Sequence, residues 1–272
     1  MQQAIHFGLG GRAVVVTGGS QGIGEACARR LMADGASVAV WDMADAAGEA
    51  LVAELQADLQ PGRGQALYCH CDVSQKASVD AALAATLAAF GHVDGLVNNA
   101  GIFRAAEFLD ITEADWDAVI AVNLKGSFLV GQALARAMVG NDDLPGRGRG
   151  AIVNMSSVNG TLAIPTIASY NASKGAINQL TRVMALSLAD RGVRVYAVAP
   201  GTIATELARK AVLTSDEAKA RILSRTPMRR LGEPSEIADT VAYLLSDAAS
   251  YVTGEIVVVD GGRMTLNYTV PV

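Results

Sequence analysis

Short apolar runs alternate with longer amphipathic segments along the whole chain. Arg12–Thr17, Ser37–Asp42, Gln65–Cys71, Val93–Asn98, Ala151–Ser156, Arg194–Ala199 and Glu255–Val259 have the length of strands and are apolar at successive positions. A strand with one wet face would alternate apolar with polar, so these are read as strands covered on both faces. Between them, Ile23–Asp34, Ala46–Leu59, Ser78–Phe90, Glu113–Val139, Ser169–Arg191 and Pro234–Ser246 have the length and periodicity of helices. Strands alternating with helices imply parallel pairing, and right-handed crossovers place helices on both sheet faces. The expectation is an α/β fold: one doubly wound, parallel, seven-stranded sheet over residues 1–272, with no dividing linker. Thr112 has the spacing to cap the helix that opens Glu113-Ala-Asp115, and Pro234 suits a first helical turn.

Composition narrows the function classes. Apolar residues make up 51% of the chain and charged residues 18%, below the usual quarter. A sheet buried on both faces accounts for part of that, and subunit interfaces for the rest. The formal net charge is −5 and no basic run is present, which argues against a nucleic-acid partner. The apolar runs are short and interrupted, so no membrane span is expected. The chain does not open with a basic segment followed by an apolar stretch, and it is expected to be cytoplasmic. Cys27, Cys69 and Cys71 do not form a disulfide framework. Cys69-His70-Cys71 lacks the further ligand a tetrahedral metal site needs and is read as a strand end, so no metal is expected.

Chemistry enters at the first strand-to-helix turn, Thr17-Gly-Gly-Ser-Gln-Gly-Ile-Gly24. Glycines at 18, 22 and 24, with Ser20, Gln21 and Ile23 between them, let backbone N–H groups approach a pyrophosphate at a helix N-terminus. Asp42 ends the second strand, where an acid grips ribose hydroxyls and repels a 2′-phosphate. Met43, Ala44 and Asp45 follow it and Gln21 stands in the turn, so no base is at hand for that phosphate, and NAD is the expected cofactor. Tyr170 and Lys174 stand one helical turn apart, and a nearby ammonium favours a phenolate, so Tyr170 is the candidate acid/base. Ser156 and Ser157 end the preceding strand, at the edge where such sheets bind ligands. They face opposite ways, and one of them is placed to hydrogen-bond a substrate oxygen. An oxidised nicotinamide nearby adds to the ammonium in favouring the Tyr170 phenolate.

These pieces together resemble the classical short-chain dehydrogenase/reductase family over nearly the full chain, a Rossmann-like fold. The matching motifs are Thr17–Gly24, Asp72-Val73, Asn98-Asn-Ala-Gly101, Asn123, the Ser157/Tyr170/Lys174 set and Pro200-Gly201. The resemblance selects Ser157 over Ser156. It implies that Asp72 and Val73 hold the adenine, that Asn99, Ala100 and Gly101 support the sheet beside the cofactor, and that Ile203 and Thr205, after Pro200 and Gly201, meet its carboxamide and phosphate side. It implies that Tyr170 and Lys174 touch the cofactor too, and that Asn123 helps hold a relay water for Lys174. It also implies a homotetramer.

The substrate side is less defined. Residues 158–165 form one expected wall, with Asn159 as the polar group nearest Ser157. Residues 203–230 form the other, as a lid carrying Arg209, Lys210, Lys219, Arg221 and Arg225. The apolar tail 263–272 is expected to pack on a neighbouring subunit. The expected activity is NAD-dependent hydride transfer between a secondary alcohol and a ketone, with Ser157, Tyr170 and Asn159 at the substrate. Two other readings are kept: an NADPH-preferring carbonyl or 3-oxoacyl-thioester reductase, and a non-catalytic dinucleotide sensor.

Overall fold

The computed structural model describes residues 5–57, 64–144, 147–206, 208 and 215–270. Seven strands form one parallel sheet: β1 Ala13–Thr17, β2 Ser37–Asp42, β3 Ala66–His70, β4 Gly95–Asn98, β5 Gly150–Met155, β6 Val193–Pro200 and β7 Ile256–Val259. Their spatial order is β3-β2-β1-β4-β5-β6-β7. The chain winds outward from β1 to β3, then crosses back to lay β4 on the other side of β1. The C-terminal ends of β1 and β4 therefore diverge, and this reversal is where open α/β sheets bind ligands.

Burial explains the apolar runs. Val14, Val16, Val38 and Val40 point into one core with Leu31, Ile237 and Leu245. Val15, Ala39 and Trp41 point into the opposite core with Val130, Leu134 and Met138. Odd and even positions of one strand thus enter different cores, so both must be apolar. The first core is covered by α1 (Gly22–Ala33), α2 (Asp45–Ala57) and the helix Pro234–Leu245. The second is covered by α3 (Lys76–Phe90) and the long helical stretch from Glu113 to Val139, beside the helix Ala168–Leu188.

That stretch is three pieces rather than the uninterrupted helix expected: α4 Glu113–Ile120, a π-helical turn Ala121–Gly126, and α5 Ser127–Val139. Thr112 caps α4, its Oγ1 accepting from the Asp115 N–H at 3.1 Å. By length and composition the 27 residues could cross a membrane, with a mean hydropathy of 1.4, contrary to the expectation that no segment would qualify. In the fold, Val130, Leu134 and Met138 are fully buried against the sheet.

After it come α6 (Ala168–Leu188), α7 (Asp216–Leu223) and α8 (Pro234–Leu245), with Pro234 in the first turn of α8. Arg194, on β6, is buried and ties α8 to the sheet. Its Nη1 donates to the carbonyls of Leu244 and Ala249 at 3.0 Å each and to the Tyr196 hydroxyl, and its Nη2 donates to Ser246 O at 3.1 Å. These carbonyls end a helix and have no partner within it, so the guanidinium meets the negative end of the helix dipole.

Arg209 and Lys210 of the expected lid, Leu59 of the expected second helix and the last two residues of the tail lie outside the described residues. The rest of the tail runs beside its own lid segment, where the Val270 N–H donates to Ser224 O at 2.8 Å, and it leaves Tyr268 exposed.

Candidate active site

The β1/β4 divergence opens a cleft of about 470 Å³. Its floor is a clasp between two loops. Thr17 Oγ1 accepts from the N–H groups of Asn99 and Ala100 at 2.9 and 3.0 Å, and Asn99 Nδ2 donates to the carbonyls of Thr17 and Gly18 at 3.0 Å each. Gly18 adopts φ +59°, and a Cβ there would lie 2.9 Å from the Ala100 backbone. A Cβ on Gly24 would overlap the Gly18 carbonyl. Both positions therefore need glycine, one for conformation and one for the close approach of helix to strand. Gln21 precedes α1 and makes no side-chain cap, which leaves the first N–H groups of the helix to an anion. This cradle fits a dinucleotide pyrophosphate.

Asp42 is fixed for its role. Its Oδ2 accepts from Ser20 N at 3.0 Å and its Oδ1 from Ala44 N at 3.1 Å. Asp72, across the cleft, is bound by Ser74 N and Oγ at 2.9 and 2.7 Å. Val73 packs against Gly126 of the π turn, where a Cβ would come within 2.8 Å. Gly18, Gln21, Gly22, Ile23, Asp42, Asp72, Val73, Asn99, Ala100, Gly101 and Thr205 all line this one cleft. Gly201 and Ile203 line a smaller adjoining cavity of about 80 Å³ under the lid stalk. Pro200 ends β6, and Ser20 and Gly24 form the turn behind the lining. Ile102, Phe103 and Arg104 also line the cleft and were not foreseen. Their only signal was position, immediately after Asn98–Gly101.

The metal question has a geometric answer. Cys69 and Cys71 are buried, while the His70 ring points out to Asp45 Oδ1 at 2.7 Å, so the three side chains do not converge.

The reactive groups gather at the end of β5. Ser156 and Ser157 face apart: Ser156 Oγ donates to Asn178 Oδ1 at 2.6 Å, on α6. Ser157 caps the short turn 158–160, accepting from Asn159 N at 3.1 Å, and its hydroxyl stands near enough to the Tyr170 phenol to favour the phenolate. Lys174 is 4% exposed; its Nζ donates to Met155 O at 2.6 Å and lies 5.5 Å from the centre of the Tyr170 ring. Gly101 joins this group to the cleft, since a Cβ there would lie 3.7 Å from Lys174 Nζ.

Burial pushes the Tyr170 phenol up, and the hydrogen bond from Ser157 works against that shift; the expected lowering was that of the ammonium together with the oxidised nicotinamide. The ammonium expected to lower it faces the ring and is tied to a carbonyl, and burial takes Lys174 itself down to about 8. The Asn123 side chain holds the loop after Gly101. Its Oδ1 accepts from Ile102 N at 2.8 Å, and its Nδ2 donates to Ile102 O at 2.9 Å and to Ser173 Oγ at 3.0 Å. It pins the loop carrying Gly101 to α6, and the π turn brings it there. Asn159 stands beside Ser157, with its Oδ1 buried and without a hydrogen-bond partner among the described residues.

Comparison with known proteins agrees with this geometry. Residues 18–264 match the family model described as enoyl-(acyl carrier protein) reductase. The chain is 40% identical to 2-(S)-hydroxypropyl-CoM dehydrogenase 3 of Xanthobacter autotrophicus strain Py2 over 256 residues, 93% of this chain and 96% of that one. It is 44% identical to the galactitol 2-dehydrogenase (L-tagatose-forming) of Cereibacter sphaeroides over 258 residues, 94% and 96% of the two chains. Among solved structures, a short-chain type dehydrogenase/reductase from Mycobacterium marinum superposes with a TM-score of 0.85 at 36% identity, covering 94% of this chain and 97% of that one.

The buried ammonium makes stability depend on pH. Folding takes Lys174 from its ordinary value of 10.5 to about 8, so the unfolded chain binds more protons between those values. The penalty for burying the charge is full below pH 8 and is relieved as pH rises to 10.5. Its size is on the order of 3 kcal/mol. Lys174→Met should raise the unfolding free energy at pH 7 by about 1–3 kcal/mol, with part of the gain lost because Met155 O loses its donor. Urea unfolding from pH 7 to pH 11 should show that gain shrinking; parallel profiles for variant and wild type would refute the buried charge.

Proposed function

The chain belongs to the classical short-chain dehydrogenase/reductase family, and from that premise we propose that it is an NAD-dependent dehydrogenase oxidising a secondary alcohol to a ketone, or the reverse. Ser157 and Tyr170, side by side with Lys174 buried against the Tyr170 ring and Gly101 leading into the dinucleotide cleft, carry this reading. When bound, the nicotinamide supplies or accepts the hydride. Tyr170 holds the proton on its Oη, gives it to the substrate oxygen in reduction and takes it back in oxidation. Ser157 Oγ donates to the same oxygen and steadies its developing charge. Lys174, with a pKa near 8, holds an exchangeable proton next to Tyr170 at ordinary pH. Asn123 sets the position of Gly101 and of α6.

For the substrate, the relatives named for galactitol and for 2-(S)-hydroxypropyl-CoM support a modest secondary alcohol, and polyols are the first to try. Asp42 weighs against the NADPH-preferring reductase, and a complete Ser157/Tyr170/Lys174 set weighs against a sensor without turnover.

Tyr170→Phe should lower turnover by about three orders of magnitude while NAD binding, followed by fluorescence, stays within a few-fold. A variant that still turns over near the wild-type rate in an NADH-absorbance screen of polyols, cyclic alcohols and hydroxy acids would end the assignment. With any substrate found, kcat/KM for NAD should exceed that for NADP by at least about tenfold, because Asp42 meets the extra phosphate with like charge; equal values would contradict this.

The assembly we propose is a homotetramer. Two separate surfaces expose apolar side chains: Phe128, Val183 and Leu186 on α5 and α6, and Tyr251 and Val258 by the edge strand β7. A dihedral tetramer needs two different self-complementary patches. Light scattering should give four chains, and Leu186→Glu should reduce that to two; a monomeric wild type would reject the assembly.

A further inference from the structure

One hydrogen-bonded cluster outside the groups already assigned reaches the backbone of Asp42, a residue that lines the cleft. Tyr68 and His70 are two residues apart on the edge strand β3, so they share a face, and both reach Asp45 at the start of α2. The Tyr68 hydroxyl lies 2.6 Å from Asp45 Oδ1 and 2.8 Å from the Asp42 carbonyl oxygen, and His70 Nδ1 lies 2.7 Å from Asp45 Oδ1. The register places His70 beside Asp42 and Tyr68 beside Val40. The Tyr68 ring occupies the space a side chain at Gly48 would fill, so the phenol passes under the first turns of α2 to both acids. Tyr68 thus fixes the turn from Asp42 to Asp45 at two points, the backbone of one acid and the carboxylate of the other.

The electrostatics give this turn a task. The N-terminus of α2, a helix of 13 residues, would attract a phosphate through its free N–H groups and dipole. Asp45 puts a carboxylate in that first turn. The hydrogen bond from Tyr68, and next the one with His70, hold Asp45 below its ordinary value, so the carboxylate stays charged. Burial, together with Asp45, pushes the Tyr68 phenol up, so it remains a donor.

We propose that Asp45 is a second specificity-determining carboxylate for the cofactor, and that Tyr68 and His70 are positioning residues that hold it beside Asp42 against a 2′-phosphate. The proposal rests on the reading of Asp42 as the ribose-binding acid. Asp45 is about half exposed, so water and salt screen it and its effect is several-fold.

The test is calorimetric binding of 5′-AMP and of adenosine 2′,5′-bisphosphate to the whole protein, with no turnover involved. Asp45→Asn and Asp45→Ser should each tighten the bisphosphate by about three- to tenfold at low salt while 5′-AMP stays within about twofold. Raising the salt should shrink that difference. Tyr68→Phe should shift the ratio of the two constants in the same direction and also weaken 5′-AMP, because the Asp42 backbone loses its anchor. Circular dichroism confirms that each variant is folded. An unchanged ratio in folded Asp45 variants overturns the proposal. Asp42→Asn separates the two readings: if it relaxes the ratio and the Asp45 variants do not, only the role of Asp45 falls. If wild type binds neither nucleotide, the cofactor reading itself has failed.

Discussion

The site depends on a clasp between two loops that the topology drives apart. β1 and β4 are neighbours, yet the chain leaves one toward β2 and the other toward β5. Without a tie, the turn after Thr17 and the loop after Asn98 would diverge into water. Thr17 Oγ1 and Asn99 Nδ2 close them with four hydrogen bonds, all between a side chain and backbone. Side chain–backbone bonds of this kind hold irregular loops where no ladder can. The clasp fixes Gly18 below the cleft and Gly101 beside Lys174, so one polar junction places both the dinucleotide cradle and the acid/base.

From that junction the order spreads through a second clip. Asn123 satisfies both backbone groups of Ile102 and also bonds Ser173 on α6. The helix that carries Tyr170 and Lys174 is thereby referenced to the loop of β4 rather than only to its own strand. The π turn 121–126 is the cost of that connection: it gives up regular helical bonding to bring Asn123 inward.

How much of this the sequence disclosed follows from what kind of interaction carries each part. The strands were legible because both faces of a parallel sheet are dry, which leaves an uninterrupted apolar run such as Val14-Val15-Val16. The Gly-rich turn, Asp42 and the Ser157/Tyr170/Lys174 spacing were legible because each is a local constraint between a strand end and the helix after it. The π turn was not, since an i→i+5 bond leaves no distinct period; an Asn at 123 amid apolar helix was its one trace. The direction of the Tyr170 shift was also hidden. Spacing puts an ammonium one turn away, but only burial and the Met155 carbonyl decide where that ammonium points. The Tyr68–Asp45–His70 cluster and the return of the tail to Ser224 join segments remote in sequence, which periodicity cannot see.

Two buried cations show how the same fold separates structure from chemistry. Arg194 lies among four acceptors: the carbonyls of Leu244, Ser246 and Ala249 and the Tyr196 hydroxyl. Its two terminal nitrogens meet the carbonyls at the end of α8, while its Nε has no partner among the described residues. Lys174 carries three donors on one nitrogen and gives one of them to Met155 O. A buried ammonium so sparsely matched is destabilised relative to its neutral form, and its pKa falls to about 8. The shortage of acceptors that makes Lys174 a poor structural cation is what brings its titration near ordinary pH, where the proposed proton transfer at Tyr170 would use it. Supplying it with the acceptors Arg194 enjoys would stabilise the fold and remove the reason for the lysine to be there.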